Sequence, residues 1–198
     1  MNGVGTVING VAKEAVKERE DYLRNLVAKE LLDSRLCEVL IEKGITTCPA
    51  SATFHGNFDG GLFYHCKAMY EALEGMTEKL GLHWLNPKSP ANIAWGHDVC
   101  KLGTYIKSID DWNEDGSNKL WHYEKCDSSL VKGHGSKSVI VLQQAGVSLT
   151  EEEMVCILYH MGAYETDSWD AFDRAIKKYP NVLFTHTADM CASKIMGV

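Results

Sequence analysis

Apolar residues in the first third of the chain recur at Ala15, Val16, Tyr22, Leu23, Leu26, Val27, Leu31, Leu36, Val39 and Leu40, mostly three and four apart. That spacing predicts a helix over about 10–43, with one buried stripe and one Glu/Lys/Arg face, stopped near Gly44. A loop over 46–61 follows, marked by Pro49, Gly56, Gly60 and Gly61. A second helix is expected from about Leu62 to Leu80, ending at Gly81. Ser89-Pro90 is a start signal, with Ser as N-cap and Pro in the first turn, where its missing N–H costs nothing. The helix it opens should run from Ala91 to Lys101 and stop at Gly103. Between 104 and 130 the pattern changes. Tyr105, Ile106 and Ile109 precede Asp115-Gly116, and Leu120, Trp121, His122 and Tyr123 follow, which fits either a β-hairpin or an irregular loop. Helical spacing returns over 133–145. Thr150 with Glu153 three residues on forms a capping box opening a helix to about Met161. Two more helices are expected at Trp169–Lys178 and Asn181–Met196. The expected fold is all-α: one domain over 1–198, with the N-terminal helix, a core over about 49–198 and a small irregular or β-hairpin insertion.

Composition sharpens this. The chain has 198 residues, of which 45% are hydrophobic and 24% charged, enough for one substantial core. No apolar run approaches the roughly 20 residues a bilayer helix needs, so no membrane association is expected. The opening MNGVGTVINGVAKEAVKERE lacks a basic segment before an apolar one, so a signal peptide is not expected either. Twenty Lys and Arg against 27 Asp and Glu give a net charge of −7. That balance opposes a protein that tracks long nucleic acid, whose grip comes from many phosphate contacts. It leaves room for a mononucleotide or a short oligonucleotide end. The seven cysteines are scattered, with no C-x-x-C pair, and read as reduced thiols of a cytoplasmic protein rather than a disulfide framework or zinc ribbon.

Histidine and aspartate carry the candidate chemistry. His65 lies early in the second helix, His97-Asp98 in Trp-Gly-His-Asp-Val-Cys-Lys, His134 at a helix start, His160 at a helix end and Asp189 in the last helix. His160 follows Val155, Cys156, Ile157 and Leu158; His97 follows Ile93, Ala94 and Trp95. Polar groups on such apolar segments need partners, because burial without one costs several kcal/mol. Imidazole and carboxylate are ligands of divalent cations, and helices of a bundle can bring them to one point.

The ordered pattern His65, His97-Asp98, His134, His160, Asp189, with GHDVCK similar to an HD-x-x-K signature, resembles the HD-domain superfamily of metal-dependent phosphohydrolases. The resemblance spans about Pro49 to Ser193. Its nearest branch is the HD domain of bacterial 3′→5′ exoribonucleases, through the run Pro49-Ala50-Ser51-Ala52-Thr53-Phe54-His55 and Gly61-Leu62-Phe63-Tyr64-His65. Those nucleases usually carry an OB-type RNA-binding domain, for which these 198 residues have no room. The resemblance implies two divalent metals per chain, drawn from Mn, Fe, Co, Ni, Zn or Mg. His65, His97, Asp98 and Asp189 would hold one, and Asp98 would bridge to a second on His134 and His160. Asp98 and Lys101 would be catalytic, Asp98 orienting a metal-activated water and Lys101 stabilising charge on the phosphate. His55, Lys101 and Tyr164 would contact substrate.

The implied activity is hydrolysis of phosphate esters of nucleotides or short oligonucleotides. Alternatives are a 3′→5′ exonuclease or phosphodiesterase on RNA or single-stranded DNA, a metal-stabilised ligand-binding domain without catalysis, and an oxygenase on a similar di-iron site. Whether the chain forms a homo-oligomer stays open. Among the other candidates, His83 reads as structural, His122 as an exposed residue of the insertion, and His186 as sharing a face with Asp189. Cys100 reads as a small packing residue, and Trp112, Trp121 and Tyr123 either as a platform for stacking a base or, the preferred reading, as an aromatic cluster pinning the insertion.

Overall fold

The first apolar stripe folds as two helices, α1 (Lys13–Ala28) and α2 (Ser34–Glu42), rather than the single helix expected. The break has local causes. Glu30 turns the chain with φ 59, and Asp33 then caps α2 by accepting a 2.9 Å hydrogen bond from the Leu36 N–H. The structure is a computed structural model and describes residues 7–8, 11–116, 118–164 and 169–198. Ahead of α1, β1 (Val7–Ile8) and β2 (Val11–Ala12) pair antiparallel.

Helix α3 (Gly61–Leu80) ends as expected at Gly81, whose left-handed φ of 65 closes the last turn through its N–H to the Thr77 carbonyl. Helix α4 (Ser89–Gly96) has Pro90 in its first turn, but the Ser89 hydroxyl does not cap it; it donates to Glu153 at 3.0 Å. Nor does α4 reach Lys101. It stops at Gly96, Asp98 leaves the helical region (φ −113, ψ 18), and a 3₁₀ turn covers Val99–Lys101. The insertion is a β-hairpin: β3 (Tyr105–Trp112) pairs antiparallel with β4 (Asn118–Lys125), with an irregularity between Ile109 and Trp112. Helix α5 (His134–Gln144) follows, then α6 (Glu151–Leu158), opened by the capping box with both Thr150 and Glu153 bonds formed. Helices α7 (Trp169–Lys178) and α8 (Asn181–Met190) complete the order, α8 continuing as a π-helical stretch, Cys191–Met196. The fold is all-α with a small β-hairpin insertion.

Every residue of α4 is buried, so it forms the axis of the core. Trp95 lies at the centre, fully buried, with its ring 5.2 Å from Phe63 and 6.0 Å from Tyr22. Leu36 and Leu40 of α2, Leu62 and Met69 of α3, Leu142 of α5 and Ile157 of α6 join the same cluster. The carboxyl of Glu153, itself buried, ties α6 to the start of α4 by accepting from Asn86, Ser89 and Asn92. Glu152 does the same for the Leu85 N–H and for Asn181 at the head of α8. These bonds fix the depth at which α4 delivers His97-Asp98. Among the described residues no helix is long and apolar enough to cross a membrane.

Candidate metal centre

Four elements bring polar side chains to one point beneath the end of α4. His65 comes from the second turn of α3, His97 and Asp98 from the break after Gly96, His160 from the turn beyond α6, and Asp189 from α8. All five are buried. His65 Nε2 lies 3.2 Å from His97 Nε2 and 3.2 Å from Asp189 Oδ1; His97 Nε2 lies 3.3 Å from Asp98 Oδ2. His65 Nε2 is 3.8 Å from that same Asp98 oxygen. The other Asp98 oxygen, Oδ1, faces His160 Nε2 at 3.8 Å. Donors bound at about 2.0–2.2 Å to one cation sit about 3.0–3.5 Å from one another, and the three shortest separations fall in that range.

The ring orientations are set by backbone carbonyls. His97 Nδ1 meets the Ala94 carbonyl at 2.9 Å, His160 Nδ1 the Ile157 carbonyl at 2.7 Å, and His65 Nδ1 the Val198 backbone oxygen at 2.9 Å. A carbonyl only accepts, so each Nδ1 carries the proton and donates. In the neutral ring Nε2 is then left with its lone pair. Three Nε2 atoms therefore converge on two carboxylates, and the Nε2 of His160, fully buried, has no hydrogen-bond partner among the described residues. A backbone carbonyl holding the far ring nitrogen is the usual support of a metal-bound histidine. This donor set fits a divalent cation.

The electrostatics reflect the crowding. Burial opposes the charged form of Asp98, but Lys101, His97 and His160 outweigh it and hold the carboxyl well below its ordinary range. Burial likewise opposes the charge on Asp189, and His65, followed by the other imidazoles, brings its pKa down to about 2. Burial lowers His97, yet adjacent Asp98 carries it net upward. His160, buried and beside His97, falls to about 4.

Lys101, which the resemblance makes a phosphate-stabilising residue, lines the site and pairs there with Asp98. It is largely buried, with Nζ 2.7 Å from Asp98 Oδ2, and burial is overcome by Asp98 so that its pKa rises. His134, at the first position of α5, gathers with Asp98 and Cys100, their ligand atoms lying within 4.8 Å of one another.

A cavity of about 250 Å³ opens onto this cluster, lined among others by His55, His65, Asp98, Lys101, His134 and Asp189 and by Tyr164, His186 and Lys194. The His55 ring is 5.2 Å from that of His65, and burial with the neighbouring His65 lowers its pKa to about 4. Tyr164 is mostly exposed. His186 was legible only as a neighbour of Asp189; it lines the cavity and donates from Nδ1 to the His160 carbonyl at 2.7 Å. His122 is exposed, between Asp110 and Glu124, and His83 offers its carbonyl to Asn181. Trp121 packs edge-on against Tyr123, with Lys107 over its ring, and does not line the cavity. Trp112 does not line the cavity either. Comparison of the chain with protein-family models, curated proteins and solved structures gives no match.

Proposed function

We propose that this chain is a metal-dependent phosphohydrolase of the HD type, acting on phosphate esters of nucleotides or very short oligonucleotides. The observation that carries the reading is the common tautomer of His65, His97 and His160, which turns three Nε2 lone pairs towards Asp98 and Asp189. His65, His97, Asp98 and Asp189 would hold one divalent ion, and Asp98, His134 and His160 a second. Such ions, when bound, supply hydroxide from water near neutral pH and neutralise phosphoryl oxygens.

The chain's own residues do the rest. Asp98 presents an oxygen to each half of the centre and orients the attacking water. Lys101 turns from Asp98 to the substrate phosphate, where its charge counts most as negative charge builds on the transferring group. His55, neutral at physiological pH, and Tyr164 wall the substrate. The cavity is smaller than the roughly 300–1,000 Å³ of ordinary small-molecule pockets, which suits the phosphate end of a small ester.

Metal analysis of protein purified without chelator should give close to two equivalents per chain. A screen of mononucleotides, cyclic nucleotides and dinucleotides with Mn²⁺ should then show ester hydrolysis, abolished by Asp98→Ala with an unchanged circular dichroism spectrum. Full activity in metal-loaded Asp98→Ala overturns the mechanism. Oxygen consumption by the iron form without release of phosphate or nucleotide would identify an oxygenase instead.

A further inference from the structure

We infer that Cys100 is a metal ligand, making the second half of the centre a thiolate–imidazole–carboxylate site that selects zinc, cobalt or iron over magnesium. The inference rests on the metal reading above and deepens it. Cys100 Sγ lies 3.6 Å from His134 Nδ1. A tetrahedral ion with a metal–sulfur bond of about 2.3 Å and a metal–nitrogen bond of about 2.0 Å holds these two atoms about 3.5 Å apart. An oxygen of Asp98 completes the group within 4.8 Å.

The backbone explains how Asp98 and Cys100 come to face one place. Residues two apart on a regular α-helix point away from each other. Here the helix stops at Gly96, Asp98 leaves the helical region and a 3₁₀ turn covers Val99–Lys101, and the Asp98 carboxylate and Cys100 thiol lie within 4.8 Å of each other. Helix α5 supplies His134 and, one turn on, Ser138, whose hydroxyl accepts the Cys100 N–H at 3.3 Å. One helix thus positions both the imidazole and the thiol. An independent observation points to a ligand at the same carboxylate: His160 Nε2, completely buried and without a hydrogen-bond partner among the described residues, faces Asp98 Oδ1 at 3.8 Å.

The chemistry follows from the donors. Magnesium takes oxygen ligands, whereas thiolate with imidazole suits zinc, cobalt and iron. As the metal–sulfur bond forms, the S–H proton leaves to solvent, one per ion bound, and the sulfur is not oxidised. A hydrogen bond from the thiol to His134 would give a similar distance, so the experiment must read the sulfur directly.

The metal-free full-length chain is titrated with Co²⁺ and followed by absorption spectroscopy. A thiolate-to-cobalt charge-transfer band in the near ultraviolet is expected. It should vanish in Cys100→Ser, where one cobalt equivalent also weakens by at least about tenfold, the loss that even outer-shell partners cause. It should persist in Cys48→Ser and Cys66→Ser. If Cys100→Ser does not fold, mass spectrometry of the wild-type chain treated with a thiol reagent decides, with Cys100 expected to be protected by Co²⁺ and not by Mg²⁺. Cobalt bound without the band, or a band that survives Cys100→Ser, overturns the role of Cys100 and leaves the metal centre standing. Failure of the wild-type chain to bind cobalt overturns both.

Discussion

At the scale of single residues, the centre depends on groups that never touch it. Glu153 is the clearest case. One carboxyl oxygen accepts from Asn86, Ser89 and Asn92, and the other from the Thr150 N–H. Glu153→Ala strands the buried Ser89 and Asn92 donors in the interior, and each unsatisfied buried group costs about 1–3 kcal/mol. A loss of roughly 2–4 kcal/mol is expected, lowering the melting temperature by about 5–15 °C for a chain of this size. Glu153→Gln, which keeps one acceptor oxygen, should lose about half as much. Equal melting temperatures for wild-type and Glu153→Ala would contradict the anchoring role. The sequence exposed the capping half of Glu153, because Thr-x-x-Glu is a local pattern. Its contacts to residues about 60 positions earlier have no local signature. For Lys101, by contrast, the three-residue spacing from Asp98 is local; the 2.7 Å pair forms over a 3₁₀ turn in place of the expected helix.

At the scale of elements, what could be read was whatever short-range chemistry decides. Gly81, Thr150 and Asp115-Gly116 each mark a boundary through their own backbone or side chain, and the structure has a boundary at each. The breaks at Glu30 and after Gly96 were hidden because apolar periodicity runs through them. Where helices touch, close approach sets the tolerance. A Cβ on Gly135 would lie 2.3 Å from the Leu158 carbonyl oxygen and 2.6 Å from that of Ile157, both backbone atoms that cannot yield as a side chain can. Gly135→Ala should therefore push the start of α5 away from α6, destabilise by roughly 2–4 kcal/mol, and displace His134. Calorimetry should show the lower transition, and metal titration a weakened second equivalent; wild-type values in both would refute the contact. The hairpin has its own pH response. His122 lies 2.8 Å from Asp110 and 3.2 Å from Glu124, and the hydrogen bond to Asp110, ahead of Glu124, raises its pKa. A histidine raised on folding stabilises below its unfolded pKa of about 6.5 and loses that contribution as pH rises through the folded value. Amide protection in β3 and β4 should therefore fall between mildly acidic and mildly alkaline pH. High salt should weaken the effect, since the pair is exposed. A pH response that is unaltered in His122→Gln would assign it elsewhere.

At the scale of the whole molecule, burying three imidazoles and two carboxylates together makes stability and metal binding one problem on the metal reading. A ligand present at 100 times its Kd stabilises by about 2.7 kcal/mol, so chelation should lower the melting temperature by roughly 5–10 °C; identical curves with and without chelator would contradict a buried metal centre. Size and charge then bear on the substrate. The chain carries −7, and the cavity of about 250 Å³ takes only the end of a molecule. A long strand gains affinity by neutralising successive phosphates and loses it steeply with salt, whereas a small ester needs only the centre and the lysines that reach it. On the phosphohydrolase reading, kcat/KM for a mononucleotide should change little with ionic strength, and long RNA should be a poor substrate. Processive degradation of long RNA with no turnover of small nucleotides would reverse that choice. Lys101 offers the sharpest test, because its ammonium sits against the carboxylate a metal would use. If it serves the phosphate in the transition state, Lys101→Ala lowers kcat more than it raises KM. Removing a buried cation beside Asp98 also removes a competitor for that oxygen, so metal should bind Lys101→Ala at least as tightly as wild-type. A purely structural lysine would give the opposite pairing, with metal affinity and stability falling together and kcat per bound metal preserved. Calorimetric metal titration alongside steady-state kinetics separates the two, and loss of metal with intact turnover per metal would remove Lys101 from the reaction.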